Sequence, residues 1–293
     1  MNILKNWLNA FRYEDFLKEE VFKCDEELCN IRKAGKLSFT MYKNGIKYIR
    51  RDPNNGRIIL RTPDGLLIAI NDHWAIFHEI FCAKVYELEE KYTQKPFVLF
   101  DLGLNRAYAS LYFSTFDNCK VIYGYEPHPD TFEFAKYNIA LNKDYLESRS
   151  IIIKVFECGL GAEDATIRLN SFVNRDGVST LDGCQNLALS KKELAKAQGI
   201  NVNILGSTNE FEKRFSEIEG LGLYKIMKID VEGAEYVIIN ELCKTGLIKQ
   251  FDLIIGESHN GITSIKSSLE ANGFIMKHIG GAAACRDFLF DKK

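Results

Sequence analysis

At 293 residues, with 46% hydrophobic and 27% charged side chains, the chain has room for one large domain or for a domain of about 200 residues beside a smaller one. A formal net charge of −2 gives no reason to expect a nucleic-acid partner, and no apolar run approaches the roughly 18 to 20 residues of a membrane span. The eight cysteines are scattered without a Cys-x-x-Cys pair, which argues against structural zinc, and free thiols without a signal peptide lead to an expected cytoplasmic location.

Residues 1–94 read as a small α+β extension. Helical periodicity covers Asn2–Phe11 and Glu14–Ala34. Strand-like runs Leu37–Tyr42 and Ile46–Ile49 meet across Asn44-Gly45, a hairpin signal. Turns at Asp52–Gly56 and Pro63–Gly65 flank the strands Arg57–Arg61 and Leu66–Ile70. A helix is expected over His73–Tyr92, capped by Asn71 or Asp72.

From residue 95 to 293 strands and helices alternate, which predicts a second domain with a mostly parallel α/β sheet. Phe97–Asp101 and Val121–Glu126 are short apolar runs separated by a helical segment, a βαβ unit. A helix from Pro127-His-Pro-Asp130 to Asn142 and a strand Ile151–Glu157 follow, then Cys158-Gly-Leu-Gly161. Ala165–Leu169 reads as a short edge strand, Asp176–Leu181 as a loop and Ser190–Gln198 as a polar helix. Core strands Leu223–Asp230 and Phe251–Glu257 bracket a helix from Gly233 to about Thr245. After the helix Ile262–Ala271, Phe274–Ile279 and Cys285–Phe290 form a closing antiparallel pair.

Four of these strands end in Asp101, Glu126, Asp230 and Glu257, with His259 just beyond the last. Parallel strands share one carboxyl-terminal rim, the place where open α/β sheets bind ligands. Gly103 lets backbone approach a ligand closely, and Glu126, 25 residues after Asp101, is placed to accept hydrogen bonds from the two hydroxyls of a ribose. A dinucleotide-dependent oxidoreductase would carry Gly-x-Gly-x-x-Gly after the first strand; one glycine behind an acid suits a ligand without phosphates.

Phe100-Asp-Leu-Gly-Leu-Asn105, Gly124-Tyr-Glu-Pro-His-Pro129 and Lys228-Ile-Asp-Val-Glu-Gly-Ala-Glu235 together resemble the FkbM-type S-adenosylmethionine-dependent methyltransferases, over roughly residues 95–290. The resemblance implies a Rossmann-like class I methyltransferase sheet whose last strand is antiparallel, and O-methylation of a hydroxyl on a small molecule or glycan. It implies that Asp101, Gly103 and Asn105 hold the amino-acid end of S-adenosylmethionine and Glu126 its ribose. Gly159 and Leu160 would border the adenine. Asp230 would lie beside the methyl group, with Glu232, Glu257 and His259 on the acceptor side. Three positions depart from the family loop: Leu104 stands for Ala, Arg106 for an apolar residue and Ala107 for a second Gly. Arg106 would then face an anionic acceptor, while Ala107 opposes a positive φ.

An alcohol acceptor must lose a proton, which makes Asp230 or His259 the candidate general base. No metal is assigned, although Asp230, Glu232 and Glu257 are the oxygen donors a divalent cation would use. The alternative to an enzyme is a non-catalytic, cofactor-binding scaffold, favoured by the altered loop.

Overall fold

The computed structural model describes residues 41, 43–71, 74–171, 179–181, 198–259, 261–281 and 286–293. The expected helices Asn2–Phe11 and Glu14–Ala34, the cap Asp72 and most of the expected helix Ser190–Gln198 lie outside these residues. The chain divides into two units, Met1–Val85 with Ala140–Tyr145 and Tyr86–Ile139 with Leu146–Lys293.

In the first unit β1 (Lys47–Arg51), β2 (Ile58–Arg61) and β3 (Leu67–Ile70) form an antiparallel sheet in that order. Its turns carry their own side-chain acceptors. Asp52 Oδ1 takes the Asn54 N–H at 2.9 Å, and Thr62 Oγ1 takes the Leu66 N–H at 3.2 Å. Asn44-Gly45 does not join two strands. Met41 and Lys43 are helical, and Gly45 (φ 66°) ends that helix by sending the Ile46 N–H back to the Met41 carbonyl at 2.9 Å. The helix expected over His73–Tyr92 is also shorter: α1 covers Ala75–Phe81, with Trp74 rather than Asn71 before it and no side-chain cap. Lys84 turns left-handed (φ 54°) and the Val85 N–H bonds the Glu79 carbonyl, which closes the helix.

The second unit opens with the single turn α2 (Glu90–Thr93) and then β4 (Phe97–Leu102), all six of whose residues are buried. Next come α3 (Tyr108–Phe113), β5 (Cys119–Tyr125), α4 (Pro129–Leu141), α5 (Lys143–Ser148) and β6 (Ile152–Phe156), of which the end of α4 and the start of α5, Ala140–Tyr145, count with the first unit. A side sheet follows, formed by β7 (Gly159–Gly161), β8 (Ala165–Ser171), β9 (Ser179–Leu181) and β10 (Gln198–Gly206), in the order β7-β10-β8-β9. Thus β8 is an inner strand and not an edge, Ser179–Leu181 is a strand where a loop was expected, and Gln198 starts a strand. The chain then runs through α6 (Ser207–Glu217), β11 (Tyr224–Ile229), α7 (Glu235–Thr245), β12 (Leu253–Ser258), α8 (Thr263–Ala271), β13 (Phe274–Ile279) and β14 (Arg286–Lys292).

The main sheet has seven strands in the order β13-β14-β12-β11-β4-β5-β6. β4, β5, β6, β11 and β12 are mutually parallel, whereas β14 runs antiparallel to both β12 and β13. This is the Rossmann-like methyltransferase topology, with the last strand reversed. The order changes direction at β4, so the adjacent ends of β4 and β11 mark the switch point of the sheet, the place where open α/β sheets bind ligands. Beneath it the Phe100 ring lies 5.3 to 5.5 Å from Tyr123, Phe211, Phe215 and Phe251, which fastens β4, β5 and α6 into one core. Among the described residues no helix is long and apolar enough to cross a membrane.

Candidate active site

The loop after β4 is held by buried charge. Asp101, fully buried, accepts the Ser110 hydroxyl on Oδ2 at 2.7 Å, and its Oδ1 lies 3.1 Å from Lys228 Nζ. Lys228 sits next to the end of β11 and donates to the Gly103 carbonyl at 2.7 Å. Burial opposes its charge, but Asp101 and Asp230 outweigh that cost and hold its pKa above the ordinary value. Gly103 is obligatory: with φ 80°, a Cβ there would come within 1.8 Å of the Asp230 carbonyl oxygen.

Glu126, 8% exposed, directly follows β5. Its Oε2 accepts the Asn105 N–H and its Oε1 the His128 N–H, both at 2.9 Å. An ionised carboxylate has about four acceptor positions, so each oxygen keeps one for a ligand. Burial raises its pKa to about 7, and the two backbone N–H groups only partly counter this. Beside it, Asn105 Oδ1 is buried and has no hydrogen-bond donor among the described residues. These features fit a nucleoside cofactor with donor hydroxyls.

The three departures in the loop all pack. Leu104 is 1% exposed and fills the space left by Gly124, where a Cβ would lie 2.7 Å from Leu104 Cδ1. Ala107 does adopt the left-handed conformation (φ 64°, ψ 19°) and is buried with Leu104, Phe132 and Ala135. Arg106 does not extend into solvent. Its guanidinium lies 4.8 Å above the Phe134 ring and the residue is 3% exposed, so it stands in packing and not at an open acceptor surface.

Asp230 follows β11 and is 28% exposed at its side chain, with its Oδ2 accepting the Tyr86 hydroxyl at 3.3 Å. Burial, then Asp230, Asp101 and Glu257, keep that tyrosine protonated by raising its pKa well above the ordinary value. A turn with Glu232 at φ 55° and Gly233 at φ 112° leads into α7. His259, 3% exposed, comes from the loop after β12. Its Nε2 is 3.4 Å from Glu232 Oε2 and 3.9 Å from Asp230 Oδ1, while its Nδ1 is 2.9 Å from Glu235 Oε1.

The rim therefore brings Asp230, Glu232 and His259 together, with donor atoms all within 4.8 Å of one another. A set of one imidazole and two carboxylates has the donors to hold a divalent transition-metal ion, and His259 stands in it where Glu257 was expected. Glu257 lies within β12, paired in register with Asp287 of β14. Gly159 lies beside Pro127 and Ile204, whereas Leu160 is 3% exposed, pairs with Leu205 of β10 and belongs to the core.

Residues 101–280 match the methyltransferase FkbM domain. The chain belongs to the FkbM methyltransferase family. Methyltransferase 1 of Beauveria bassiana (strain ARSEF 2860) is 28% identical over 211 residues, covering 68% of this chain and 80% of that protein. Methyltransferase sdnD of Sordaria araneosa is 27% identical over 180 residues, covering 56% of this chain and 66% of its own length. The crystal structure of methyltransferase FkbM from Methylobacillus flagellatus KT aligns at a TM-score of 0.41 and 12% identity, covering 74% of this chain and 52% of that one. The chain thus spans about two thirds of the second relative and about half of the solved FkbM chain.

Four residues of this FkbM-family site had no role in the sequence reading: Tyr86, Ser110, Lys228 and Glu235. Lys228 carried a usable signal, because a lysine inside an apolar parallel strand has to be paired. Glu235 carried a weaker one, as an acid in the first turn of α7. Tyr86 and Ser110 carried none, since only the fold brings them to the acids.

Proposed function

We propose that this FkbM-family protein is an S-adenosylmethionine-dependent O-methyltransferase acting on a hydroxyl of a small molecule or glycan. The observation that carries the proposal is one chain of charges along the rim. Lys228 lies 3.1 Å from Asp101 and 3.9 Å from Asp230, Asp230 lies 3.9 Å from His259, and Lys228 also acts on Glu126 through its charge. Cofactor-type and acceptor-type groups are thereby adjacent.

In this reading Asp101, Gly103 and Asn105 hold the amino-acid end of the cofactor, Glu126 holds the ribose diol, and the strand end at Gly159 and Leu160 borders the adenine. The cofactor supplies an electrophilic methyl group when bound. The chain's own part is alignment and proton removal. Asp230 orients the acceptor side, and His259 Nε2 takes the hydroxyl proton, with Glu232 steadying the charge that develops on the ring. A non-catalytic scaffold would be favoured by a collapsed loop; Leu104, Arg106 and Ala107 are instead accommodated.

The test is a screen of hydroxyl acceptors, including nucleotide sugars and glycan fragments, for formation of S-adenosylhomocysteine. With an acceptor in hand, His259→Ala should lose about 10²- to 10⁴-fold in turnover while cofactor affinity barely changes. Full turnover in that variant removes His259 from the reaction.

A further inference from the structure

Glu235 makes four interactions from a side chain with no exposed surface, more than turn-capping requires. Its Oε1 takes the Val231 N–H at 3.0 Å and the Gly233 N–H at 3.2 Å, and its Oε2 takes the Gly233 N–H again at 3.1 Å. Its fourth interaction crosses to another element: Oε1 lies 2.9 Å from His259 Nδ1. A carboxylate that already accepts backbone N–H groups is an acceptor only, so the Nδ1 facing it must carry the hydrogen. In a neutral imidazole the other nitrogen is then the one that carries the lone pair.

The opposite side of the ring makes this matter. Nε2 faces Glu232 Oε2 at 3.4 Å and Asp230 Oδ1 at 3.9 Å, and both are acceptors that would draw the hydrogen to Nε2 if nothing held it at Nδ1. An Nε2–H ring can donate to those acids but cannot accept a proton from an acceptor molecule. We propose that Glu235 is a positioning residue that fixes His259 as the Nδ1–H tautomer and so keeps Nε2 as the proton acceptor on the rim. The proposal deepens the methyltransferase reading and rests on it for its meaning, although the tautomer is measurable without any turnover.

Leucine and glutamine together separate this role from a purely structural one. In Glu235→Gln the amide oxygen in the place of Oε1 still accepts both the turn N–H groups and the Nδ1–H, whereas Glu235→Leu takes that acceptor away and leaves the acids on the other side to draw the hydrogen to Nε2. The experiment is a long-range proton–nitrogen correlation spectrum of 15N-histidine-labelled protein, recorded above the pH at which the rings titrate. Of the five histidines, His259 is identified by the signals missing in His259→Gln. The expected result is an Nδ1–H ring in the parent and in Glu235→Gln, and an Nε2–H ring in Glu235→Leu. An Nε2–H ring in the parent or in Glu235→Gln overturns the proposal, and so does an Nδ1–H ring in Glu235→Leu. Calorimetry with S-adenosylhomocysteine on the same parent sample reports separately on the cofactor reading: absence of binding defeats that reading and leaves the tautomer result as it is.

Discussion

At the scale of single residues, Glu126 and Ala107 store opposite kinds of strain. Glu126 has a folded pKa of about 7 against an ordinary value of 4.5, because burial penalises its charge. A raised carboxyl pKa means that the folded state holds the proton more tightly than the unfolded chain. The associated stability is fully present below 4.5 and is lost as pH rises through about 7. Between pH 4.5 and 8 the parent should therefore lose about 3 kcal/mol relative to Glu126→Gln, which has no such proton to release. Urea unfolding at both ends of that range checks it, and a difference that stays constant with pH contradicts it. Ala107 pays a backbone cost of about 1 to 2 kcal/mol for its φ of 64°. Glycine removes that cost but loosens the unfolded chain by about 0.4 to 1 kcal/mol. Ala107→Gly should stabilise the fold by up to about 1 kcal/mol, read as a higher urea midpoint, and leave cofactor affinity within about tenfold.

Among the elements, α6 shows why part of the fold was legible and part was not. Arg214, on α6, pairs with Glu210 at 2.7 Å and with Glu217, and Tyr125 and Tyr123 of β5 donate to those same acids at 2.9 Å. Arg214→Met leaves Glu210 buried without its cation and should cost about 3 to 5 kcal/mol in unfolding free energy; a loss below about 1 kcal/mol would show that the tyrosines alone satisfy it. None of this was readable, because the polar residues of α6 obscure Phe211 and Phe215 and its partners lie about 90 residues away in β5. By contrast β4, β5, β11 and β12 were legible as near-continuous apolar runs, the mark of strands covered on both faces. The side sheet β7–β10 was not, since strands such as Ala165–Ser171 and Gln198–Gly206 mix polar and apolar residues. Asn44-Gly45 misled for a different reason: a residue at positive φ serves a helix end as well as a hairpin. The helix ending at Phe81 misled because apolar spacing continued through Val85, which is 45% exposed.

For the whole molecule, the strand order brings the sequence-distant acids Asp101, Glu126 and Asp230 around Lys228 at one rim. Strand-end acids were readable one by one, and the sheet topology followed from the alternation of elements and the family likeness. What the sequence left out is the set of contacts made across strands, such as Lys228 to Asp101 and Glu235 to His259, because neither partner is near the other in the chain. The central claim is that this rim binds an adenosyl cofactor through Glu126. Titration calorimetry with S-adenosylhomocysteine and with NAD, on the parent and on Glu126→Ala at pH 8, tests it directly. The account predicts that the parent binds S-adenosylhomocysteine and not NAD. Losing two charge-assisted hydrogen bonds should weaken Glu126→Ala by about 2 to 4 kcal/mol, or roughly 30- to 1000-fold. Equal affinity in the two proteins, or preference of the parent for NAD, would contradict it.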